Sequence, residues 1–545
     1  MRIDKLSAAL LPFVFCCNFL SAQNLATEQV DVIKNFDARL ADSERFRLNP
    51  KLPPLDSSSK RMDYLIQSRV PSIAYPAPRI KPLAYATDQQ AKQYAGFLQA
   101  GAGYPLSLYL DGGYQLSTTD KSDVGIAIRH HAANNDSRLA NQRFQYSQGS
   151  LNGKLFLDQG IAVKGGATYT RDEVHFYGYH DQNQDRDSSN LLAFDREAVR
   201  QRFSVLDLHA GVSNGEQTIG DLNYDVNLDG YFMRDNYASS ENNFTLDVRA
   251  KKWIQKKNPL ELQLVADLTR FRDTTTQKLN NFYFSPSYTL HTDALRVKLG
   301  ARVASSADQF FFFPAVEASL GLVGNVVHLF AGAEGNLVQN NFRSLSDYNP
   351  FLVSNPELRN TSYYHFYAGA KGAFSGLDYH AQLGYKATTD LALFQPNHDT
   401  IPRFLALYDN VNIIQLSVGL SGQIFDNLSL HGTLNQQVYR PENQEKAWLL
   451  PTFSLQVGAV YRMLDDKLSL RANLFAENGL PYLDAEGQAQ RLNALFDISA
   501  GAEYQFAENI GLFLNVNNLA NNRRQRWTGY PVFGVNALGG IRARF

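Results

Sequence analysis

The sequence predicts an all-β protein, a large transmembrane antiparallel β-barrel of about 22 strands entered from an extended N-terminal arm. Three observations carry that prediction. From Tyr94 onward, apolar and polar residues alternate in segments of roughly 10 to 14 residues. The connections between segments alternate between short turns and long polar loops. No apolar run of about 18 residues, the length a spanning helix requires, follows the N-terminus.

Composition agrees with an all-β chain that faces lipid. Of 545 residues, 19% are charged, while Tyr (28), Phe (35) and Gly (37) are plentiful. The 52 basic and 53 acidic side chains leave a formal charge of -1, so no basic excess favours nucleic acid, and that class of partner is excluded.

The N-terminus comes first along the chain. Arg2 and Lys5 precede an apolar run from Leu6 to Leu20, which ends at Ser21-Ala22-Gln23. Basic residues, a short apolar core and small residues in that order predict a signal peptide over residues 1–22, cleaved between Ala22 and Gln23. Both cysteines, Cys16 and Cys17, fall inside it, so disulfides and thiolate metal sites have no place in the predicted mature chain.

Residues 23–90 are rich in proline (Pro50, Pro53, Pro54, Pro71, Pro76, Pro78, Pro82). Proline lacks an N–H and fixes φ, so neither long helices nor central strands suit this stretch. It reads as an extended periplasmic arm.

Residues 91–545 read as the barrel. Leu106, Leu108, Leu110, Tyr114 and Leu116 alternate with Ser107, Tyr109, Asp111 and Gln115; Leu428, Leu430, Leu434 and Val438 alternate with Ser429, His431, Asn435 and Gln437. Period 2 puts one face in an apolar medium and the other in a polar one. Segment length favours a membrane barrel over a soluble sandwich, whose strands average about 5–6 residues. Short turns are expected at Asp158-Gln159-Gly160, Gln255 to Pro259, Ser375-Gly376, Asp426-Asn427 and Leu464 to Asp466. Long loops are expected at Tyr179–Arg200, Asn340–Asn360, Thr389–Asp409 and Asn478–Arg491. Turns at one rim and loops at the other are the pattern of bacterial outer-membrane barrels. The luminal register takes in Asp111, Asp225, Asp229, Glu334, Asp378, His380, Lys386, Arg471 and Glu477, a lining of both signs. Alternation continues to the C-terminus, where Phe545 is the last outward residue, expected to close the barrel and to act as a signal to the barrel assembly machinery.

The stretches Asn517-Asn518-Leu519-Ala520, Arg526-Trp527-Thr528-Gly529-Tyr530-Pro531 and Gly539-Gly540-Ile541-Arg542-Ala543-Arg544-Phe545 resemble the closing hairpin of TonB-dependent outer-membrane receptors. The resemblance spans about Tyr94 to Phe545. It implies a 22-strand barrel in the outer membrane of a Gram-negative bacterium, with solute uptake as its function. Thr27 to Ile33 is similar to the short hydrophobic box of such receptors, with Glu28, Val30 and Val32 as the energy-coupling residues. The segment before the first strand is shorter than the plug domain of those receptors, so the chain reads as a plugless relative.

No residue pattern points to an enzyme. The 11 histidines are scattered, and only His130, His131, His175 and His180 fall near loop ends, without a nucleophile-base pairing or a metal-ligand spacing. Asp181 to Asp187 sets oxygen ligands at alternate positions, but Arg186 stands where a calcium loop has glycine, and a solvated acidic loop is the expectation. No cofactor is expected. Expected partners are outer-membrane lipid, the assembly machinery, and periplasmic or outer-membrane proteins that dock on the arm. Two functions stay open: a transport barrel for a solute, or a non-transporting anchor or assembly subunit of a larger envelope complex.

Overall fold

The computed structural model describes residues 94–545, apart from 120, 158–159, 184–190, 216–219 and 325; the side chains of 181–183 are also outside the description. The signal peptide with Ala22 and Gln23, the arm over 23–90, the box residues Glu28, Val30 and Val32, and the acidic stretch after Asp181 lie outside the described residues.

Alternation of this length has one outcome when every backbone donor must find a partner away from water: strands that pair on both edges and close on themselves. One 22-stranded antiparallel sheet does this, from Gly96–Tyr104 to Asn536–Arg544. Its strands run from 8 residues (Ile510–Asn517) to 22 residues (Phe404–Phe425). The first and last strands pair from Phe97↔Arg544 to Tyr104↔Ala537. At the end of this seam the Gly96 amide donates to the Phe545 carbonyl at 2.8 Å, and the Phe545 amide returns a bond to Gly96 at 3.0 Å. The Phe545 ring stacks on Tyr114, with centroids 5.9 Å apart. The seam is tight: a Cβ on Gly540 would collide with the Ala100 carbonyl.

Pairing register confirms the two faces. Leu428, Leu430 and Leu434 lie opposite Tyr461, Ala459 and Leu455, on the apolar exterior. Asn435 lies on the other face, where it accepts a hydrogen bond from Ser417 Oγ at 2.8 Å. Large exposed aromatics on the outward register fall into two belts. Tyr114, Phe374, Phe425, Tyr461 and Phe545 ring the rim of short turns; Tyr104, Phe232, Phe244, Phe310, Phe312 and Tyr364 ring the rim of loops. Such girdles mark the two edges of the apolar band of a membrane barrel.

Short turns stand where glycine and polar residues tolerate left-handed backbone. Ser375 (φ 50) and Gly376 (φ 82) join Arg359–Phe374 to Leu377–Pro396, the two-residue turn whose twist suits paired strands. Gln255 and Lys256 adopt φ 53 and 54 before the strand that begins at Asn258.

One expected loop is much shorter than the sequence predicts. Thr389–Asp409 is mostly strand: after a bulge at Thr388/Leu391, pairing runs from Leu391↔Asp409 to Pro396↔Phe404, which leaves only 397–403 as connection. Leu393 (0% exposed) and Phe394 (3%) pack on neighbouring loops there, so tertiary burial extends strands that the sequence pattern ends earlier. The Asn478–Arg491 loop carries its own small hairpin, Pro481–Leu483 with Ala489–Arg491.

Candidate functional site

The wall comes first. All nine residues assigned to the lumen lie on the luminal register, and most are paired there. Asp111 meets Arg129 at 3.4 Å, Lys164 meets Asp225 at 3.5 Å, and Glu503 is shared between Arg471 at 3.4 Å and Arg542 at 2.9 Å. Glu334 faces His365 Nδ1 at 3.2 Å, and His380 stacks on Phe330 at 5.4 Å. Lys386 Nζ sits 3.9 Å from the centroid of Tyr363. A cavity of about 1420 Å³ on this face is lined by Asp225, Arg249, Lys251, Glu261, Lys298 and Arg302, among others. A wall of alternating charge with its groups mutually paired suits a water-filled lumen and sets no strong preference for one sign of solute.

The loop rim is a different environment. A ring of 22 strands encloses a lumen on the order of 40 Å across, given the strand spacing and tilt. Phe203 and Tyr231, on the sixth and seventh strands, and Phe394 and Phe404, on the fifteenth and sixteenth, stand on nearly opposite sides of it. They nevertheless belong to one buried hydrophobic cluster, because loop residues fill the space between: Phe176, Tyr177, Tyr179, Phe342, Leu345, Phe351, Leu352, Leu449, Leu480, Leu492, Trp527 and Tyr530. The loops cross the mouth and build a core above the lumen.

The loop 518–535 supplies the centre. Its two short strands, Gln525–Trp527 and Tyr530–Pro531, turn through Gly529 (φ 83), whose amide donates to Gln525 Oε1 at 2.8 Å. Tyr530 stacks on Phe351 at 3.8 Å, meets Tyr177 edge-on at 5.0 Å, and donates its hydroxyl to the Pro402 carbonyl. Trp527 lies against Phe404 at 5.4 Å, Tyr348 at 5.6 Å and Phe394 at 5.8 Å. Tyr177 Oη and Gln142 Nε2 both donate to the Pro531 carbonyl, at 3.0 and 2.8 Å. Burial pushes the Tyr177 phenol up to about 12 and raises Tyr530 as well, so both remain neutral donors at physiological pH.

A second tether fixes the loop 341–358 to the wall. Its short helix Phe342–Tyr348 starts over Glu241, whose carboxylate accepts the amides of Phe342 at 2.7 Å and Arg343 at 3.0 Å together with the Tyr231 hydroxyl at 2.8 Å. A carboxylate at unpaired helix N–H groups satisfies donors that burial would otherwise orphan. Arg343 pairs with Asp207, its guanidinium 4.6 Å from the Tyr231 ring centroid. Arg403, from 397–403, lies 4.6 Å from both Phe176 and Tyr237. The loop 442–452 is pinned through the Leu449 amide, which donates to the Pro481 carbonyl at 2.8 Å.

The residues singled out by sequence are thus divided. Phe545 is at the closure seam, and of the luminal charges Glu477 reaches the cap segment, pairing with Arg526 at 3.4 Å. Arg526-Trp527-Thr528-Gly529-Tyr530-Pro531, read as part of the closing hairpin, stands in the loop that joins that hairpin's strands Ile510–Asn517 and Asn536–Arg544, and its Trp527 and Tyr530 form the centre of the cap. The histidines do not converge: His130 Nδ1 is 2.9 Å from Ser147 Oγ, His131 meets Tyr109 and Phe144 edge-on, and His180 Nε2 is 2.9 Å from the Ala140 carbonyl. The loops 442–452 and 518–535 are not among the long loops that the sequence pattern predicts. The signal they carry is aromatic content, since they hold Trp448 and Trp527, two of the chain's three tryptophans.

No family model matches the chain, and no curated protein does. Solved structures match the barrel. The pyoverdine outer membrane receptor FpvA from Pseudomonas aeruginosa is 11% identical, with a TM-score of 0.62 over 83% of this chain and 79% of that one. The FrpB iron transporter from Neisseria meningitidis is 8% identical, with a TM-score of 0.65 over 84% and 82%. The ferric-catecholate import receptor Fiu from E. coli is 10% identical, with a TM-score of 0.63 over 83% and 82%. These are TonB-dependent receptor barrels, and the likeness establishes a common fold.

Proposed function

We propose that this chain is an outer-membrane transport barrel of the TonB-dependent-receptor kind, moving a solute through a lumen whose outer mouth is gated by the aromatic cap. The observation that carries this reading is the cap itself. A polar, ion-paired lumen ends beneath one buried core drawn from loops on opposite walls, and a lumen as wide as that of a 22-strand barrel has to be obstructed to hold a permeability barrier. The receptors that share the fold include the FrpB iron transporter and the Fiu import receptor, which supports uptake as the class of activity and leaves the solute open.

In the same reading, cleavage between Ala22 and Gln23 releases an arm over 23–90 into the periplasm, Glu28, Val30 and Val32 engage an energising partner, and Phe545 is read by the assembly machinery. The alternative, an anchor or assembly subunit of an envelope complex, rests on the arm as a docking segment.

Ion and solute flux through the reconstituted full chain separates the two. A transport barrel is silent when capped and conducts once Tyr530 is replaced by alanine. An anchor stays silent in both forms and co-purifies with a stoichiometric protein partner that is lost on deletion of Gln23–Gln90. Large steady conductance from the unaltered protein refutes the gate.

A further inference from the structure

Two cavities that share Arg523 lie at the loop rim, at the edge of the cap's core. One, of about 770 Å³, lies between the loops 478–494 and 518–535 and is lined by Arg491, Arg523, Arg524, Asn493, Asn522 and Phe496, with other residues. The second, of about 220 Å³, lies across the closure seam and shares Arg523, adding Arg138 and Tyr104. Neither lining contains an acidic residue. All four arginines are exposed, and none forms an ion pair among the described residues. Their neighbours differ in this respect, since Arg143 pairs with Asp136 at 3.2 Å and Arg526 with Glu477 at 3.4 Å. Guanidiniums that line two adjoining cavities with no acidic residue in either lining present free donors to an anion.

The position of these cavities identifies the anion. Tyr104 (51% exposed) and Phe496 (40%) belong to the outward register, and both line the cavities. Below them on the same exterior lie Ile498, Leu512, Leu514 and Leu108, all exposed. The arginines therefore stand at the edge of the apolar band, at the level where headgroups meet a membrane barrel. Guanidinium presents paired donors that match phosphate oxygens, and the apolar stripe beneath offers a surface to acyl chains.

We propose that Arg138, Arg491, Arg523 and Arg524 form a docking site for the phosphate groups of a membrane lipid in the leaflet at the loop rim. The site rests on the membrane placement proposed above. Because two of its arginines lie in the loop that carries Trp527 and Tyr530, a bound lipid holds that loop against the barrel edge.

Native mass spectrometry of the detergent-extracted full chain tests the proposal. The probes are a bis-phosphorylated lipid A-type glycolipid, the same lipid after removal of its phosphates, and inorganic pyrophosphate. Retention of the phosphorylated lipid is expected to fall about tenfold or more in Arg523→Gln/Arg524→Gln and to stay unchanged in Arg296→Gln at the turn rim. Equal retention of the dephosphorylated lipid, or no loss in the double variant, overturns the site. Full displacement of the lipid by equimolar pyrophosphate also overturns it and assigns a soluble anion instead. Heat-modifiable gel migration reports the folded barrel independently, so failure of the membrane placement is seen separately from failure of the site.

Discussion

Phe351 and Tyr530 stack face to face with ring centroids 3.8 Å apart and planes inclined by 19°. One belongs to the connection 341–358, the other to 518–535, so the contact joins loops from distant parts of the strand order. Removing a buried aromatic ring costs about 3–5 kcal/mol. That loss is borne by the cap, because neither residue belongs to a barrel strand. Tyr530→Ala and Phe351→Ala are expected to raise channel conductance and protease cleavage after Arg526, while the barrel keeps its heat-modifiable migration. A variant that stays silent and resistant refutes a cap held by this contact.

The Glu241 tether predicts a second local effect. Glu241→Ala removes an acceptor of two helix amides and of the Tyr231 hydroxyl, leaving buried donors unmet at about 1–3 kcal/mol each. Faster amide exchange is expected over 341–348, with the wall strands unchanged. Uniform exchange across the barrel would show that the tether supports the whole fold instead.

Alkaline pH is expected to open the cap. Tyr177 is raised from 10.0 to about 12 by burial, so the folded form favours the neutral phenol. Its contribution is complete below the unfolded value near 10 and is lost as pH rises from there through about 12. Loss of Trp527 burial, followed by fluorescence, is expected in that window and absent near pH 8. Tyr177→Phe, which cannot ionise, should move the transition upward.

Insertion depends on register. Leu430→Arg sets a charge on the apolar exterior, where it costs about 2–4 kcal/mol near the midplane. Asn435→Arg sets the same charge on the luminal face. Folded yield should fall for the first and hold for the second, as judged by migration of unheated samples.

Closure depends on the first and last strands. Gly540→Val brings a side chain against the Ala100 carbonyl, and removal of Phe545 deletes the paired backbone bonds to Gly96. Both changes are expected to lower the amount of folded protein in the outer membrane, with the remainder aggregated or degraded. Normal levels of the truncated chain would separate closure from the terminal residue.

The wall was legible in the sequence because a strand's two faces meet different media, and period 2 records that residue by residue. Leu430 against Asn435, Asp111 against Leu110, and the run to Phe545 each announce their side without reference to any other strand. Turns were legible for a related reason: the backbone at Ser375-Gly376 demands residues that accept positive φ. The cap was not. Trp527, Tyr530, Phe351 and Phe176 lie in loops with no common period, and what buries each of them comes from elsewhere in the chain. Leu393 and Phe394 show the same limit, since they extend their strand where loop residues cover them, Ala447 and Trp448 over the first and the cap over the second. Local alternation determined the barrel, its faces and its number of strands to within a few; only the folded chain decided that the loops meet over the mouth, because that burial depends on contacts between residues far apart in sequence.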